Sequence, residues 1–360
     1  MTANLKGTGF EQALQAFFPE LHGARRKFIE KMIPALVKAS SMVLRRVASA
    51  FDTAALEDSV VRRIQRFLAR KILEQQEQAR FIVHLLGIES PMTIAIDRTN
   101  WKFGRKPINI LMLSVQWRGK AIPLFWELLK KEGNSNQQER IDLLDLFVKT
   151  FGHTSIYNLT ADREFIGHKW FNWLIEQRIP FDIRIKSNTL VSRKGKTCAA
   201  RELFRNVKRG KVRRCNGLFT VYDTKVYLSG GLACNKKGQD DFFIIASYCG
   251  QDSARKRYAL RWRIEQLFKE LKSGGFCMEE THITDPKHLS RLLGLVAIAY
   301  CWIVKTGKLM AAKIPRLTRK LKHGRPRYNI FRIGLDALRK AFWSTETRQI
   351  QYVFKFLSCT

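Results

Sequence analysis

The sequence predicts a mixed α/β protein: a sheet-centred core interrupted by a basic β-rich insertion, with helical segments at both ends. Three observations carry that prediction. Before residue 88 the apolar residues recur at helical spacing. Between residues 93 and 186 five short apolar runs alternate with helical stretches, the rhythm of a mixed-sheet core. From Arg184 to Arg214 that rhythm breaks, and the chain carries twelve Lys or Arg against one acid, Glu202.

Taken in order, Ala24 to Phe51 places Phe28, Met32, Ile33, Leu36 and Val43 at helical intervals, and Asp58 to Leu86 is a second long periodic stretch. Both carry basic groups (Arg25-Arg26-Lys27, Arg45-Arg46, Arg62-Arg63) that suit either the solvated face of a bundle or a DNA-end-binding surface; no helix-turn-helix pattern stands out. At Pro91 the pattern changes. Thr93 to Asp97, Ile108 to Trp117 and Ala121 to Trp126 are strand-like, the last two separated by Arg118-Gly119-Lys120, and suggest a three-stranded antiparallel meander. Asn136 to Phe151 reads as a helix, Ser155 to Ala161 as a fourth strand, Phe165 to Gln177 as a helix and Phe181 to Lys186 as a fifth strand. Gly217 to Leu228 and Asp241 to Ser247 are β-like runs that follow the basic stretch. From Gln251 to Lys272 a strong helix is expected, and Lys305 to Lys340 holds twelve basic residues and one acid, Asp336. The expected boundaries are a helical N-terminal DNA-binding domain at 1–88, a core at 89–186 and 248–304, an insertion at 187–247 and a basic C-terminal region at 305–360.

Composition narrows the function. The 360 residues include 45% apolar types, enough to bury a core. Lys and Arg number 65 against 31 Asp and Glu, a net charge of +34. Such a surface attracts a polyanion, and nucleic acid is the favoured partner through counterion release. Met1 to Phe18 lacks a basic start followed by an apolar stretch, so no secretory signal is expected. The most apolar run, Leu292 to Val304, reads as a buried helix too short for a bilayer, and no membrane partner is expected. The seven cysteines form no CxxC pair, which suits reduced thiols in the cytoplasm.

Asp97 and Asp162 each end an apolar strand-like run. Neighbouring strands can bring such ends together, and two ionised carboxylates that close need protonation or a cation. Mg²⁺ takes oxygen ligands and keeps waters and substrate phosphates in its shell. Alone, either Asp is more simply a cap or turn residue. The third element is Tyr258-Ala-Leu-Arg-Trp-Arg-Ile-Glu-Gln-Leu-Phe-Lys-Glu-Leu-Lys272. On one continuous helix Tyr258, Arg261, Glu265 and Lys272 fall within about 60° of arc, while Leu260, Ile264, Leu267 and Leu271 face a core. Glu265 then completes a metal site. Arg261 and Lys272 hold phosphates, the first with a planar fork and the second as a point charge. Tyr258 stacks on or hydrogen-bonds to the DNA backbone.

The spacing Tyr-x2-Arg-x3-Glu-x6-Lys at Tyr258, Arg261, Glu265 and Lys272 resembles the signature of bacterial insertion-sequence transposases of family four, a branch of the DDE transposases. Asp97 in Ile-Asp-Arg-Thr-Asn-Trp resembles that family's first catalytic Asp, and Asp162 in Thr-Ala-Asp-Arg-Glu-Phe-Ile-Gly its second. Gly274 to Thr281 and His323 to Arg332 resemble its C-terminal portion, so the likeness covers about residues 90 to 335. It implies a ribonuclease H-like core with a β-rich insertion between the second Asp and the Glu, and catalytic, metal-holding Asp97, Asp162 and Glu265. It implies two Mg²⁺ ions per site, with Mn²⁺ able to substitute, and DNA contacts from Tyr258, Arg261, Lys272, Arg263 and Lys269. It also implies excision of a DNA element and strand transfer into target DNA by a homodimer, acting at the nucleoid in the cytoplasm. Some relatives pass through a DNA hairpin and hold a flipped base with a Trp of the insertion. Here no Trp lies between Leu174 and Tyr258, and Phe204, Phe219, Tyr222, Tyr227 or Tyr248 are the aromatic substitutes.

Trp170 and Trp173 read as core, and His153 and His168 as structural, since hard-metal sites prefer oxygen. Glu164 stands two residues from Asp162, within reach of its surroundings. Gly324 to Arg327 reads as a source of phosphate contacts. Two rival functions use the same features: a structure-directed nuclease of the same fold, which cuts without joining, and a catalytically silent relative that only binds DNA.

Overall fold

The computed structural model describes residues 9–70, 73–234, 240–250, 252–322, 324, 326–344 and 356–357. Residues 1–8 of the N-terminal segment, Gln251, His323, Arg325 and Cys359 lie outside the described residues. The chain forms two compact units. A helical unit takes Met1–Ile88, Asn100–Ile108 and Gln266–Thr360, and a sheet unit takes Glu89–Thr99 and Asn109–Glu265.

The N-terminal part is helical, as expected, but in shorter pieces: α1 (Gly9–Phe17), α2 (Gly23–Ala39), α3 (Leu44–Ser49), α4 (Glu57–Ala69) and α5 (Gln75–Leu86). The run expected from Ala24 to Phe51 breaks because Ser40 adopts the left-handed conformation (φ 49°) and its N–H caps the Leu36 and Val37 carbonyls. Strands and helices then follow as β1 (Met92–Phe103), β2 (Lys106–Trp117), β3 (Lys120–Leu128), α6 (Gln137–Phe151), β4 (Ile156–Ala161), α7 (His168–Glu176) and β5 (Phe181–Ile185). The next segment adds β6 (Leu190–Arg193), β7 (Lys196–Ala199), β8 (Arg213–Arg214), β9 (Phe219–Val221), β10 (Thr224–Cys234) and β11 (Asp240–Ser247). The chain ends with α8 (Ala254–Ala259), α9 (Trp262–Leu271), α10 (Pro286–Lys313) and α11 (Ile330–Trp343).

Within the sheet unit the strands run β3-β2-β1-β4-β5-β11-β10-β9-β6-β7, with β8 beside β10. β2 and β3 are antiparallel, whereas β1, β4 and β5 run parallel to one another. This 3-2-1-4-5 order is consistent with the ribonuclease H-like core. The sheet does not stop there: β11 pairs antiparallel with β5, so the β-rich segment extends the core sheet rather than standing apart from it. Local chemistry explains the turns. Arg118 and Gly119 both have positive φ (45° and 80°), the geometry of a two-residue hairpin turn that glycine makes easy. Pro123, which has no N–H to give a ladder, sits opposite the irregularity at Leu113/Ser114 on the edge strand β3. α6 starts at a capping box, in which the Asn136 side chain accepts from Glu139 N and the Glu139 carboxylate from Asn136 N.

Within the helical unit α10 is the central element, packed against α2, α4, α5 and α11. Pro286 occupies its first turn and Asp285 caps it by accepting from His288 N at 2.8 Å. A side chain on Gly334 would collide with the Ile303 carbonyl, so glycine is what lets α11 lie directly on α10. α10 is longer than the Leu292–Val304 run implied. By length and composition it could cross a membrane, and 83% of its most apolar window is buried inside the protein.

Candidate active site

The site is built where the ladder between β1 and β4 ends. Their parallel pairing runs to Ile96↔Ala161, so the next residues are Asp97, midway along β1, and Asp162, just past the end of β4. The paired stretches are apolar and buried up to that point: Ile94, Ala95, Ile96, Leu159 and Ala161 have no exposed surface. The paired core strands therefore bring the two acids to neighbouring positions, although Asp97 lies within β1 and not at the strand end that its apolar run suggested.

The third element departs from expectation. The helix expected from Gln251 to Lys272 is two helices, α8 and α9, joined by a tight turn. There Leu260 N bonds to Arg257 O at 3.0 Å and Arg261 N to Tyr258 O at 2.9 Å. These are i to i−3 bonds, and in such a turn residues three apart eclipse one another. The single 60° face from Tyr258 to Lys272 is therefore corrected. What the turn does is superpose Tyr258 and Arg261, whose guanidinium lies 5.7 Å from the tyrosine ring centre.

Arg261 is the hub of the site. Its Nη1 donates to Asp97 Oδ2 at 2.9 Å and its Nη2 to Glu265 Oε1 at 2.5 Å. It is 5% exposed, and its Nε is buried without a hydrogen-bond partner. Tyr258 donates its hydroxyl to Asp162 Oδ1 at 3.2 Å. Asp97 also accepts from Arg98 N at 2.8 Å. Asp97, Asp162, Tyr258, Arg261 and Glu265 thus share one site within the sheet unit. Burial pushes the Asp97 carboxyl up to about 7, with Asp162 and Glu164 adding to the rise, while Arg261 and the Arg98 N–H pull the other way. Burial works against the Arg261 charge, but Tyr258, Asp97, Asp162 and Glu265 more than offset it and raise its pKa. Burial likewise raises the Tyr258 phenol, so it stays a hydrogen-bond donor.

A cleft of about 580 Å³ opens beside these groups. Its lining holds five basic side chains, Arg163, Arg184, Lys211, Arg255 and Arg261, against the acids Asp162, Asp241 and Glu265. That balance suits a phosphate chain. The aromatic walls are Phe243, Tyr258 and Trp262, the last 48% exposed. None of the aromatic substitutes named from sequence lines this cleft. Phe204 is fully buried, Phe219 is 7% exposed, Tyr222 packs on Phe171, and Tyr248 stacks on Phe181. Trp262 follows Arg261 directly, in a stretch that reads as one continuous helix, so no local pattern in the sequence marks it as a wall of the cleft.

The remaining expected DNA contacts are placed differently. Arg263 is partly buried on α9. Lys269 and Lys272 belong to the helical unit. There Lys272 Nζ donates to Asn100 O at 3.2 Å and pairs with Glu279 Oε1 at 2.6 Å. Trp170 is fully buried, stacked on Trp173. His168 is exposed and paired with Asp223.

Asp97, Asp162 and Glu265 supply oxygen donors of the kind a hard divalent ion takes, and a cation beside Asp97 would favour the ionised form that burial disfavours. Among the described residues, no three acids, histidines or cysteines stand close enough together to hold an ion. At this site the Arg261 guanidinium lies between Asp97 and Glu265 and supplies the positive charge.

The sequence family described as "Transposase DDE domain" matches residues 89–302, more than half of the chain. That span contains all three acids and both helices of the Arg261 turn. Comparison with curated proteins finds no match. Among solved structures, a piggyBac transposase synaptic complex with hairpin DNA is similar at a TM-score of 0.43 and 14% identity, over 95% of this chain and 71% of that one. With the family match spanning the strand ends and the arginine hub, the chain belongs to the DDE transposases, metal-dependent enzymes that cut DNA.

Proposed function

We propose that the chain is the transposase of a bacterial insertion sequence of family four, which binds the ends of its element, excises it and joins it to target DNA. The observation that carries this reading is the convergence of Asp97, Asp162 and Glu265 on Arg261 and Tyr258, the residues of the Tyr-Arg-Glu-Lys signature. In this reading Asp97, Asp162 and Glu265 hold two Mg²⁺ ions, for which Mn²⁺ substitutes. Bound there, the ions supply the charge that activates the attacking water or 3′-hydroxyl and stabilises the leaving oxygen. The protein's own groups do the rest. Arg261 exchanges its two carboxylates for a phosphate, presenting a bidentate fork to the strand being cut. Tyr258, a phenol kept protonated, donates to the backbone. The basic wall of the cleft guides the strand in, and Arg263, Lys269 and Lys272 contact DNA farther along. Residues 1–88, the strands of 187–247 and the basic 305–360 region serve end binding. The active species is a homodimer on DNA, acting at the nucleoid in the cytoplasm.

Joining separates this reading from a nuclease of the same fold. The purified chain is mixed with pre-cleaved element ends, a supercoiled plasmid and Mg²⁺ or Mn²⁺. Ends covalently joined to plasmid support a transposase; ends that are bound or trimmed but never joined, in either metal, contradict it.

A further inference from the structure

The ladder between β1 and β4 stops at Ile96↔Ala161, one residue short of the two acids it presents. Beyond that point β1 runs on to Phe103 but β4 has ended, so no β1–β4 pairing holds Asp97 beside Asp162. One link across the gap is a side-chain pair. Arg98, the residue after Asp97, donates its Nε to Glu164 Oε1 at 3.3 Å and its Nη2 to Glu164 Oε2 at 3.4 Å. Glu164 lies two residues after Asp162. The two side chains are 13% and 23% exposed, so the pair is largely shielded from solvent.

The pair is itself held in place. Arg98 Nη1 donates to Asn109 Oδ1 and Nη2 to Asn134 Oδ1, each at 3.1 Å. Asn109 Nδ2 in turn donates to the Lys131 and Gly133 carbonyls at 3.0 Å. On the other side Arg140, anchored on Ser135 Oγ at 2.9 Å, donates to the Ile166 carbonyl at 3.1 Å and so pins the turn that follows Asp162. Meanwhile the Arg98 N–H fixes Asp97 Oδ1. Arg98 and the Glu164 turn thus tie Asp97 to the segment that follows Asp162, beside the separate Arg261 and Tyr258 contacts.

We propose that Arg98 and Glu164 form a brace that sets the spacing of Asp97 and Asp162, and that both are positioning residues for the metal-holding pair. This rests on the reading of Asp97 and Asp162 as that pair. With both its oxygens engaged by the Arg98 fork, Glu164 aligns its neighbours rather than binding the ion. Outer partners of metal ligands set affinity by fixing ligand geometry, and their loss commonly weakens binding by about 10- to 100-fold.

The test is a calorimetric titration of the full chain with Mn²⁺, without DNA, alongside thermal melting. The proteins are wild type, Asp97→Ala, Arg98→Gln, Glu164→Gln and the Arg98→Gln/Glu164→Gln double variant. Arg98→Lys, which keeps the charge but loses the fork, carries the test if Arg98→Gln does not fold. Each single variant is expected to weaken Mn²⁺ binding about tenfold or more while it still melts cooperatively, and the double variant to bind no worse than the weaker single, because a brace broken at either end is fully broken. Arg98→Lys is expected to weaken binding as well. Additive losses overturn the brace. So does tighter Mn²⁺ binding by Arg98→Gln with none by Glu164→Gln, which makes Glu164 a ligand. A purely structural role lowers the melting temperature and leaves the affinity of the folded protein unchanged, and that result also overturns it. If wild type binds Mn²⁺, Asp97→Ala does not, and the brace variants match wild type, only the brace fails. If wild type binds no better than Asp97→Ala, the metal-site reading fails and the brace falls with it.

Discussion

Asp97 bears a burial penalty that Arg261 offsets only in part, and this makes the residue sensitive to pH. Its folded-state value of about 7 lies above its ordinary value of 3.8. Between these two values the folded chain holds a proton that the unfolded chain has lost, so stability declines as pH rises through that window. Asp97→Asn, which mimics the protonated form, is therefore expected to be more stable than wild type at pH 8 in a chelating buffer, by at most about 4 kcal/mol and so with a higher melting temperature, and to melt with wild type at pH below 4. Equal melting at both pH values would contradict the burial argument. Arg261→Ala leaves Asp97 and Glu265 without their shared cation and removes the phosphate fork; strand cleavage is expected to fall on the order of a hundredfold or more. Lys272→Ala is expected to reduce joining more than Mn²⁺ binding, and intact joining would remove Lys272 from the DNA path. At this scale much of the site was legible. The acids stand out because each ends an apolar run, and the Tyr-Arg-Glu-Lys spacing marks the third element. The sequence does not reveal that Arg261 would lie between two of the acids, because the pairing depends on a 164-residue separation that no local pattern encodes.

At the scale of elements, α8 is what aims Tyr258 and the Arg261 turn, and it is fastened by a buried ion pair. Asp182 on β5 has no exposed surface. Its Oδ2 accepts from Arg257 Nε at 2.5 Å, and its Oδ1 from Arg257 Nη2 at 3.0 Å and Ser247 Oγ at 2.6 Å. One carboxylate thus ties α8 to β5 and β11. Removing one partner of such a pair strands the other charge, so Asp182→Ala is expected to cost about 3–5 kcal/mol and lower the melting temperature by roughly 6–20 °C. A shift under about 2 °C would mean that the clamp is not what holds α8. By contrast, Asn136→Ala removes one half of the α6 capping box and is expected to cost only about 1 kcal/mol, with DNA affinity unchanged. The elements themselves were largely readable: β2, β3, α6, β4, α7 and β5 all lie within a few residues of their expected positions, while β1 runs on past Asp97 to Phe103. Two features were not. Periodicity averages over a window and cannot see a one-turn tightening at Leu260–Arg261. Nor can it see that β11 returns to pair with β5, since that register joins residues about sixty positions apart.

For the whole molecule the dominant fact is charge. A net +34 makes any DNA complex strongly dependent on salt. Arg205, Lys208 and Arg209 are exposed on the β-rich segment, and replacing all three with Gln is expected to weaken DNA binding and flatten the slope of log K against log salt by up to about 2.7 units. An unchanged slope would mean that this segment faces away from the DNA. Packing of the helical unit on α10 gives the chain a second core, distinct from the one that carries the acids. The central claim is that Asp97, Asp162 and Glu265 cut DNA at the element's end. The most direct measurement incubates the purified chain with a labelled duplex spanning that end and its flank, in Mg²⁺ or Mn²⁺, beside Asp162→Ala. Cleavage at the end by the native chain alone is the expected result; cleavage that survives Asp162→Ala, or binding with no cleavage in either metal, would contradict the assignment.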